Sequence, residues 1–188
     1  MCLLYFKLPV NSTIALVKPE CHMAEEFFLL VRKNKEHLET FLDFVAFTNV
    51  VKDSEHFIAR SIKQEAEQKE VVLFILDNTK IIGCIDLHNI NTTHKKAEIG
   101  YWLDYDYNGK NIMTECVKCL TDIAFNNLKL NKLVIVAEDT NIASNQVAKK
   151  SGFHFDGVDR EDIYRQHHFV NLNRYSLLKS EYQKAKKD

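Results

Sequence analysis

The placement of glycine divides the chain into two parts with different backbone requirements. No glycine occurs before Gly83, and the others follow at Gly100, Gly109, Gly152 and Gly157. Because glycine lowers helix stability, the long glycine-free segment suits helices. The later glycines indicate tight turns or close backbone approaches, which are typical of a domain that also contains strands.

Length and composition favour one domain over residues 1–188. The chain has 188 residues, 46% of them hydrophobic, and no linker rich in Gly, Ser or Pro. The formal net charge of −1 argues against a protein held on nucleic acid by its overall field. The longest apolar run, residues 71–76, is too short to cross a membrane. Residues 1–10 carry no signal-peptide pattern, so we expect a cytoplasmic protein.

The five cysteines are scattered and odd in number, which does not suit a disulfide scaffold. Cys116 and Cys119 form a CxxC pair, but they lie in an apolar helical stretch and no second pair follows. We therefore interpret them as buried side chains on one face of a helix and expect no metal site.

Hydrophobic periodicity predicts the order of the elements. Apolar runs predict strands at residues 14–17, 71–76, 81–88, 97–103, 133–137 and 170–178. Repeats of three and four residues predict helices at 20–34, 37–47, 53–68, 111–128 and 143–151. Asp53 is expected to be the N-cap of the third helix, and Gly152 to end the last. This pattern predicts an α/β (α+β) domain whose mixed central sheet of about seven strands is flanked by helices.

Residues 97–153 contain a strand, a polar loop with Gly109 and the start of a helix. Such an arrangement can bind an anion, because backbone N–H groups converge in the loop and the helix dipole adds partial positive charge. Neither the P-loop pattern GxxxxGK[ST] nor the dinucleotide fingerprint GxGxxG is present. By itself the pattern also fits an ordinary strand-to-helix turn, which is the commoner case.

Four sequence blocks resemble those of the GNAT acyltransferases, and more narrowly the branch with the Rim-type (RimJ/RimL) ribosomal-protein N-acetyltransferases. The blocks are Ala97-Glu98-Ile99-Gly100-Tyr101-Trp102-Leu103-Asp104, Asn108-Gly109-Lys110-Asn111-Ile112-Met113-Thr114-Glu115, residues 141–148 followed by Gly152-Phe153, and residues 175–181. They occur in the family's order, and the resemblance covers nearly the whole chain. It implies the GNAT acyl-CoA N-acyltransferase fold, with acetyl-CoA as cosubstrate and no metal.

The resemblance implies how acetyl-CoA is bound. Backbone groups of Trp102 and Leu103 would pair with the pantetheine arm, and Asn141 would contact the cosubstrate. Lys149 or its neighbour Lys150, otherwise a solvated pair on a helix face, could reach the 3′-phosphate as a point charge. Asn111 stands where the family has glycine, and asparagine tolerates a left-handed backbone better than most residues. The pyrophosphate would be held by the loop of residues Asn108, Gly109, Lys110, Asn111, Ile112, Met113 and Thr114.

The resemblance also implies direct attack of an amine on the thioester, with Glu98 as the general base. Without the resemblance, Glu98 would be interpreted as a half-exposed strand residue. Ser144 matches the residue that protonates the departing CoA sulfur in this branch, and Ser144 or Asn141 would cap the helix that starts here. Many GNAT enzymes use a tyrosine four residues before the Gly-Phe pair instead, but this chain has Ala148 there.

The expected acceptor is a peptide or protein N-terminus, with Ser or Ala of a ribosomal protein as the family-based expectation. Two alternatives stay open: a small amine such as a polyamine or aminoglycoside, and a non-catalytic CoA-binding regulatory module. His88 and Asn89 are expected at the acceptor pocket or on the surface, and His167 and His168 in a turn between the last two strands. Neither a membrane nor nucleic acid is expected as a partner, whereas the branch favours a homodimer.

Overall fold

The structure is a computed structural model that describes residues 6–186. The prediction made from residues 1–10 therefore lies partly outside the described residues. The strands are β1 (Lys7–Pro9), β2 (Ile14–Val17), β3 (Val71–Asp77), β4 (Lys80–Asn91), β5 (Lys96–Leu103), β6 (Lys132–Glu138), β7 (His154–Arg165) and β8 (His168–Leu178). The helices are α1 (Ala24–Lys33), α2 (Lys35–Leu38), α3 (Val51–Ala66), α4 (Ile112–Asn126), α5 (Ile142–Lys150) and α6 (Lys179–Ala185).

Within the described residues, eight strands form one sheet in the order β1-β2-β3-β4-β5-β6-β8-β7. The pairing of β5 with β6 is parallel, whereas β6 with β8 and β7 with β8 are antiparallel. The predicted mixed sheet with flanking helices is thus confirmed, with eight strands instead of about seven. The chain groups into two compact units, Met1–Asp86 with Tyr101–Cys116 and Leu87–Gly100 with Val117–Asp188.

Two predicted helices differ from the structure. The helix predicted at 37–47 is replaced by α2 and a short 3₁₀ segment, Asp43–Phe47. Leu38, Leu42 and Val45 pack into one core from these separate segments, which reproduces helical spacing without a continuous helix. Residues 20–34 likewise form a 3₁₀ turn, Cys21–Met23, before α1 begins.

Helix α3 begins two residues earlier than predicted, because Asp53 acts from inside its first turn. Its Oδ2 atom accepts hydrogen bonds from the backbone N–H groups of Asn49 (2.8 Å) and Val50 (2.9 Å). Both bonds lower the pKa of Asp53, and the bond from Val50 has the larger effect. The N-cap position itself belongs to Val50, so the prediction that Asp53 is the N-cap is wrong.

The sequence predicts no strand at β1. It predicts a strand before the last one without giving its bounds, and β7 is that strand. Strand β7 is largely exposed, and its register against β8 shifts between Phe155 and Gly157 and again between Asp159 and Ile163. These irregularities interrupt the alternation of apolar and polar residues by which a strand is recognised.

The core of the first unit is organised around the ring of Phe27 on α1. Its centroid lies 4.5 Å from that of Phe74, 5.4 Å from that of Phe57 and 5.7 Å from that of Trp102. Phe27 and Phe74 are buried. Aromatic pairs at such distances contribute about 0.5–1.5 kcal/mol beyond burial alone. The stack therefore holds α1, α3, β3 and the end of β5 together.

In the second unit a single buried amide joins α5 to two strands. The Oδ1 atom of Asn145 accepts hydrogen bonds from the Tyr175 hydroxyl and from Asn173 Nδ2, both at 2.7 Å. Its Nδ2 atom donates to the carbonyl oxygens of Glu138 and Asn141, both at 2.8 Å. Since every bonding position of this amide is used, the first turn of α5 is fixed relative to β6 and β8.

Helix α5 ends as predicted, with Gly152 after its last turn. Gly152 has a φ of 85°, a conformation that other residues adopt only with strain. Its N–H donates to the Lys149 carbonyl, and the N–H of Phe153 donates to the Ala148 carbonyl. This pair of bonds is a Schellman motif, which satisfies the last carbonyl groups of the helix.

Gly83 allows β4 to approach β5 closely. A Cβ atom at this position would lie 2.4 Å from the Trp102 carbonyl oxygen and 3.1 Å from the Leu103 Cα atom. We expect Gly83→Ala to lower the free energy of unfolding by about 1–3 kcal/mol, because the backbone of β5 must shift to accommodate the methyl group. Urea denaturation measures this change, and the exposed Lys96→Ala is the control, expected within about 0.5 kcal/mol of wild type. Equal stabilities of Gly83→Ala and wild type would show that β5 yields without strain.

Candidate active site

The loop after β5 contains two residues with left-handed backbone directly before α4. Gly109 has a φ of 76° and Asn111 a φ of 63°. The expectation that Asn111 can adopt the backbone of the family's glycine is therefore confirmed. Such turns direct successive N–H groups to one side, and the first N–H groups of a helix lack partners within it. The loop can therefore present several donors to an anion.

Buried side chains hold the first turn of α4 in place. Ile112, Met113 and Thr114 are all buried. Backbone N–H groups are therefore the atoms that this turn can offer to a ligand. Lys110 adds a positive charge to the loop, and its Nζ atom lies 4.7 Å from the centroid of the Tyr107 ring.

A buried carboxylate lies at the start of the turn that precedes this loop. The Asp104 side chain is 0% exposed, and its Oδ1 and Oδ2 atoms accept hydrogen bonds from Lys33 Nζ at 2.9 and 2.8 Å. Burial raises the pKa of Asp104, but the hydrogen bonds from Lys33, Asn34 and the Asp106 N–H outweigh burial and leave it below its usual range. The same ion pair raises the pKa of Lys33. Both groups are therefore charged at neutral pH.

The side chains of Trp102 and Leu103 are used by the core. Leu103 is buried, and the Trp102 ring packs 5.7 Å from Phe27 and 6.2 Å from Phe44, measured between centroids. Contact of these two residues with acetyl-CoA would therefore fall to their backbone groups. That role remains a prediction.

Glu98 lies in the second unit at the last residue of the parallel ladder, paired with Val134 of β6. Its Oε2 atom is 3.7 Å from Nε2 of His88, and both side chains are about one-third exposed (33% and 37%). A hydrogen bond with His88 lowers the pKa of Glu98, with smaller contributions from Asn89 and Arg174, and burial opposes this change. Glu98 is therefore an ionised carboxylate throughout the neutral range.

The pairing of His88 with Glu98 is a feature that the sequence analysis leaves open. The two residues lie five positions on either side of Thr93, in the turn between β4 and β5. Residues equidistant from a hairpin turn face each other across the strands. Because β4 ends at Asn91 and β5 begins at Lys96, counting from the ends of the turn pairs Glu98 with Asn89, so the sequence alone does not identify His88 as its neighbour.

The start of α5 brings Asn141 and Ser144 together. The Asn141 side chain is the N-cap, and its Oδ1 atom accepts a hydrogen bond from the Ser144 N–H at 3.0 Å. Of the two caps considered, Asn141 is thus the one used. Ala148, one turn later, is completely buried, while Lys149 is exposed in the last turn, at the other end of the helix from Ser144. The roles of Ser144, Asn141 and Lys149 toward acetyl-CoA remain predictions.

The structure also shows where the remaining candidate cysteines and histidines lie. Cys116 is buried and Cys119 half-buried on α4, and burial raises the pKa of the Cys119 thiol. His167 lies in the β7–β8 turn with a φ of 67°, whereas His168 begins β8. In residues 6–186, no group of three or more His, Cys, Asp or Glu is placed to hold a metal ion. None of the helices in this part of the chain is long and apolar enough to cross a membrane.

Comparison with known proteins identifies the family. The family model for the acetyltransferase (GNAT) domain matches residues 14–154. The chain belongs to the GNAT acetyltransferase family. It is 32% identical over 181 residues to "Putative ribosomal N-acetyltransferase YdaF" of Bacillus subtilis (strain 168), covering 96% of this chain and 98% of that protein. It is 26% identical over 171 residues to the ribosomal-protein-serine acetyltransferase of Escherichia coli (strain K12), covering 91% and 96% of the two chains.

A solved GNAT structure supports the cosubstrate. The microcin C7 self-immunity acetyltransferase MccE, crystallised with acetyl-CoA and AMP, matches with a TM-score of 0.85 and 32% identity, covering 90% of this chain and 94% of that one. The present chain is thus an acetyl-CoA-dependent N-acetyltransferase of the GNAT type, related to ribosomal-protein acetyltransferases. The donors at the start of α4 and the charge of Lys110 suit the diphosphate of that cosubstrate.

The backbone of Asn111 gives a test of the loop. Asn111→Gly should preserve or tighten acetyl-CoA binding, because glycine adopts the same left-handed conformation. Asn111→Val should lower the free energy of unfolding by about 1–2 kcal/mol, because a branched side chain is strained there. Calorimetric titration with acetyl-CoA and urea denaturation measure the two effects. A large loss of affinity in Asn111→Gly would instead show that the amide itself contacts the ligand.

Proposed function

We propose that this enzyme acetylates the α-amino group of a protein N-terminus, with Ser or Ala of a ribosomal protein as the acceptor. The observation that carries the proposal is the ionised Glu98 beside His88. The names of the relatives from B. subtilis and E. coli support the ribosomal acceptor. We also propose that residues 1–188 form one acetyltransferase domain. The enzyme is then cytoplasmic and acts as a homodimer.

The low basicity of Glu98 favours an acceptor that loses its proton easily. A protein α-amine has a pKa of about 7.7–8.0, compared with about 10.4 for lysine. At neutral pH this difference makes a lysine harder to deprotonate by ~3.4 kcal/mol. Because His88 and its neighbours lower the pKa of Glu98, this carboxylate is a weak base. It suits an α-amine better than a lysine side chain.

The proposed reaction uses two side chains of the second unit. Acetyl-CoA supplies a thioester carbonyl that the neutral amine attacks, so that a C–N bond forms and the C–S bond breaks. Glu98 accepts the proton that the amine loses, directly or through one water. Ser144, held at the start of α5 by the Asn141 cap, donates a proton to the departing sulfur and takes one back from water. Glu98 releases the amine's proton to water, so both side chains return to their starting states.

The loop and strand residues of the first unit have binding roles in this proposal. The loop of residues 108–114 holds the pyrophosphate through backbone N–H groups, with Lys110 as an added charge. Backbone groups of Trp102 and Leu103 pair with the pantetheine arm. Two residues of the second unit also have binding roles: Asn141 contacts the cosubstrate, and Lys149 reaches its 3′-phosphate.

The acceptor class is tested by following CoA release from acetyl-CoA with a panel of acceptors. We expect faster release with peptides that begin with Ser or Ala than with their N-terminally blocked counterparts. The same peptides with an internal lysine and a blocked N-terminus control for side-chain acetylation. The panel also includes the alternative acceptors, small amines such as a polyamine and an aminoglycoside. Release with small amines alone would overturn the proposed protein acceptor.

The role of Glu98 is tested by Glu98→Gln. We expect kcat to fall by about 10²- to 10⁴-fold with little change in acetyl-CoA affinity, because the amide cannot accept a proton. Glu98 has a lowered pKa, so it protonates only as the pH falls below the usual range of a glutamate. It therefore adds no step to the wild-type profile between about pH 6 and 9, where the amine titrates.

The matched control for this variant is Glu65→Gln, which removes a partly exposed carboxylate paired with Lys18 on the first unit. It should retain wild-type kcat across the same pH range. Unchanged turnover of Glu98→Gln at every pH would show that another group accepts the proton.

A further inference from the structure

The segment that leads into the acetyl-CoA loop is fixed by residues from the end of α1. Lys33 Nζ donates to both carboxylate oxygens of Asp104 and also to Asp106. The next residue, Asn34, accepts a hydrogen bond from the Tyr105 N–H at 2.9 Å through Oδ1. The side chains of Lys33 in α1 and of Asn34 at its C-cap thus bind residues 104–106, which directly precede the loop.

The backbone of Asp104 is also bonded to the neighbouring strand β4. The Asp104 N–H donates to the Ile82 carbonyl oxygen at 2.7 Å, so the backbone at Asp104 is held on β4. The Asp104 carboxylate, which has no exposed surface, is neutralised by Lys33. A carboxylate removed from water is tolerated only when it is paired and hydrogen-bonded. The position of Asp104 therefore depends on that of Lys33.

Between Asp104 and Ile112 no residue is buried, and the half-buried Tyr107 adds one attachment, because its hydroxyl donates to Asp77 Oδ2 of β3 at 3.2 Å. The turn Tyr105–Tyr107 contains no buried residue, and residues 108–111 are exposed. Burial resumes at Ile112, in the first turn of α4. The exposed residues 108–111 therefore lie between the apolar packing of Ile112 on one side and, on the other, the Asp104 ion pair and the Tyr107 hydrogen bond.

We propose that Lys33 is a positioning residue for acetyl-CoA, which sets the conformation of the diphosphate-binding loop through Asp104. This inference rests on the proposed role of residues 108–114 in holding the pyrophosphate. Lys33 acts through the loop and does not itself touch the ligand. Its removal should therefore affect binding of the diphosphate and spare the chemistry at the thioester.

The test compares two acetyl donors in Lys33→Met. We expect the KM for acetyl-CoA to rise about tenfold, as for a loop that spends one-tenth of its time in the competent conformation. We expect kcat at saturating acetyl-CoA to stay within about twofold of wild type. S-acetylpantetheine carries the same thioester without a diphosphate, so its kcat/KM should not change.

Three further variants keep the test independent of folding. Lys33→Met leaves Asp104 buried without its cation, so Lys33→Met/Asp104→Asn removes the uncompensated charge and should show the same donor-specific loss. Lys33→Arg retains the cation and should restore the KM for acetyl-CoA. Lys18→Met is the matched control: Lys18 is as exposed as Lys33 (45% and 46%), and its 2.8 Å bond to Glu65 lies elsewhere in the same unit.

The outcomes separate this inference from the proposed role of the loop. If the wild-type enzyme uses acetyl-CoA and S-acetylpantetheine with equal kcat/KM, the loop does not bind the diphosphate and the proposed loop role fails. If the wild type prefers acetyl-CoA and Lys33→Met keeps the full preference, only the positioning role fails. An equal loss with both donors would show that Lys33 stabilises the fold without positioning the loop.

Discussion

The ion pair between Lys33 and the buried carboxylate of Asp104 is the contact on which the arrangement of the first unit depends. A carboxylate without solvent exposure must be neutralised by such a partner. The Lys33 ammonium approaches both of its oxygens, and the Asp104 backbone N–H is bonded to β4. The end of α1 is thereby tied to the end of β5 and the turn that follows. The aromatic stack around Phe27 joins the same two elements by apolar contact. The ionic contact adds charge-assisted hydrogen bonds from one ammonium group to both carboxylate oxygens, and such bonds are about twice as strong as neutral ones.

The second unit follows the same principle with an uncharged group. Asn145 is buried, and all its hydrogen-bonding positions are used by β6, β8 and the turn before α5. Polar networks of this kind are rigid when complete, because breaking one bond leaves a buried group without a partner. The Asn141 cap and Ser144 lie on the turn that this network holds. In both units, therefore, buried polar groups define where the candidate site residues lie.

Much of this arrangement could be predicted from the sequence. All six predicted strands are present, and Gly152 and Asn111 adopt the backbone that their patterns indicate. Contacts between residues distant in the sequence could not be predicted, because no sequence pattern around Lys33 indicates that Asp104 is its partner. The bulges of β7 hid its bounds but not its existence, and the spacing of Leu38, Leu42 and Val45 resembled that of a helix. Hairpin geometry places Glu98 near residues 88 and 89, but it does not predict that His88 is the partner.

The exposed stretch between Asp104 and Ile112 has a thermodynamic consequence. A segment without buried side chains opens locally at a small free-energy cost, whatever the global stability of the domain. In the role proposed for residues 108–114, acetyl-CoA binding supplies the order that the free loop lacks, and part of the intrinsic interaction energy is used in this way. The affinity for acetyl-CoA is accordingly a property of the unliganded ensemble as much as of the contacts in the complex. Substitutions that stiffen the loop in its bound conformation would strengthen binding without adding a single contact to the ligand.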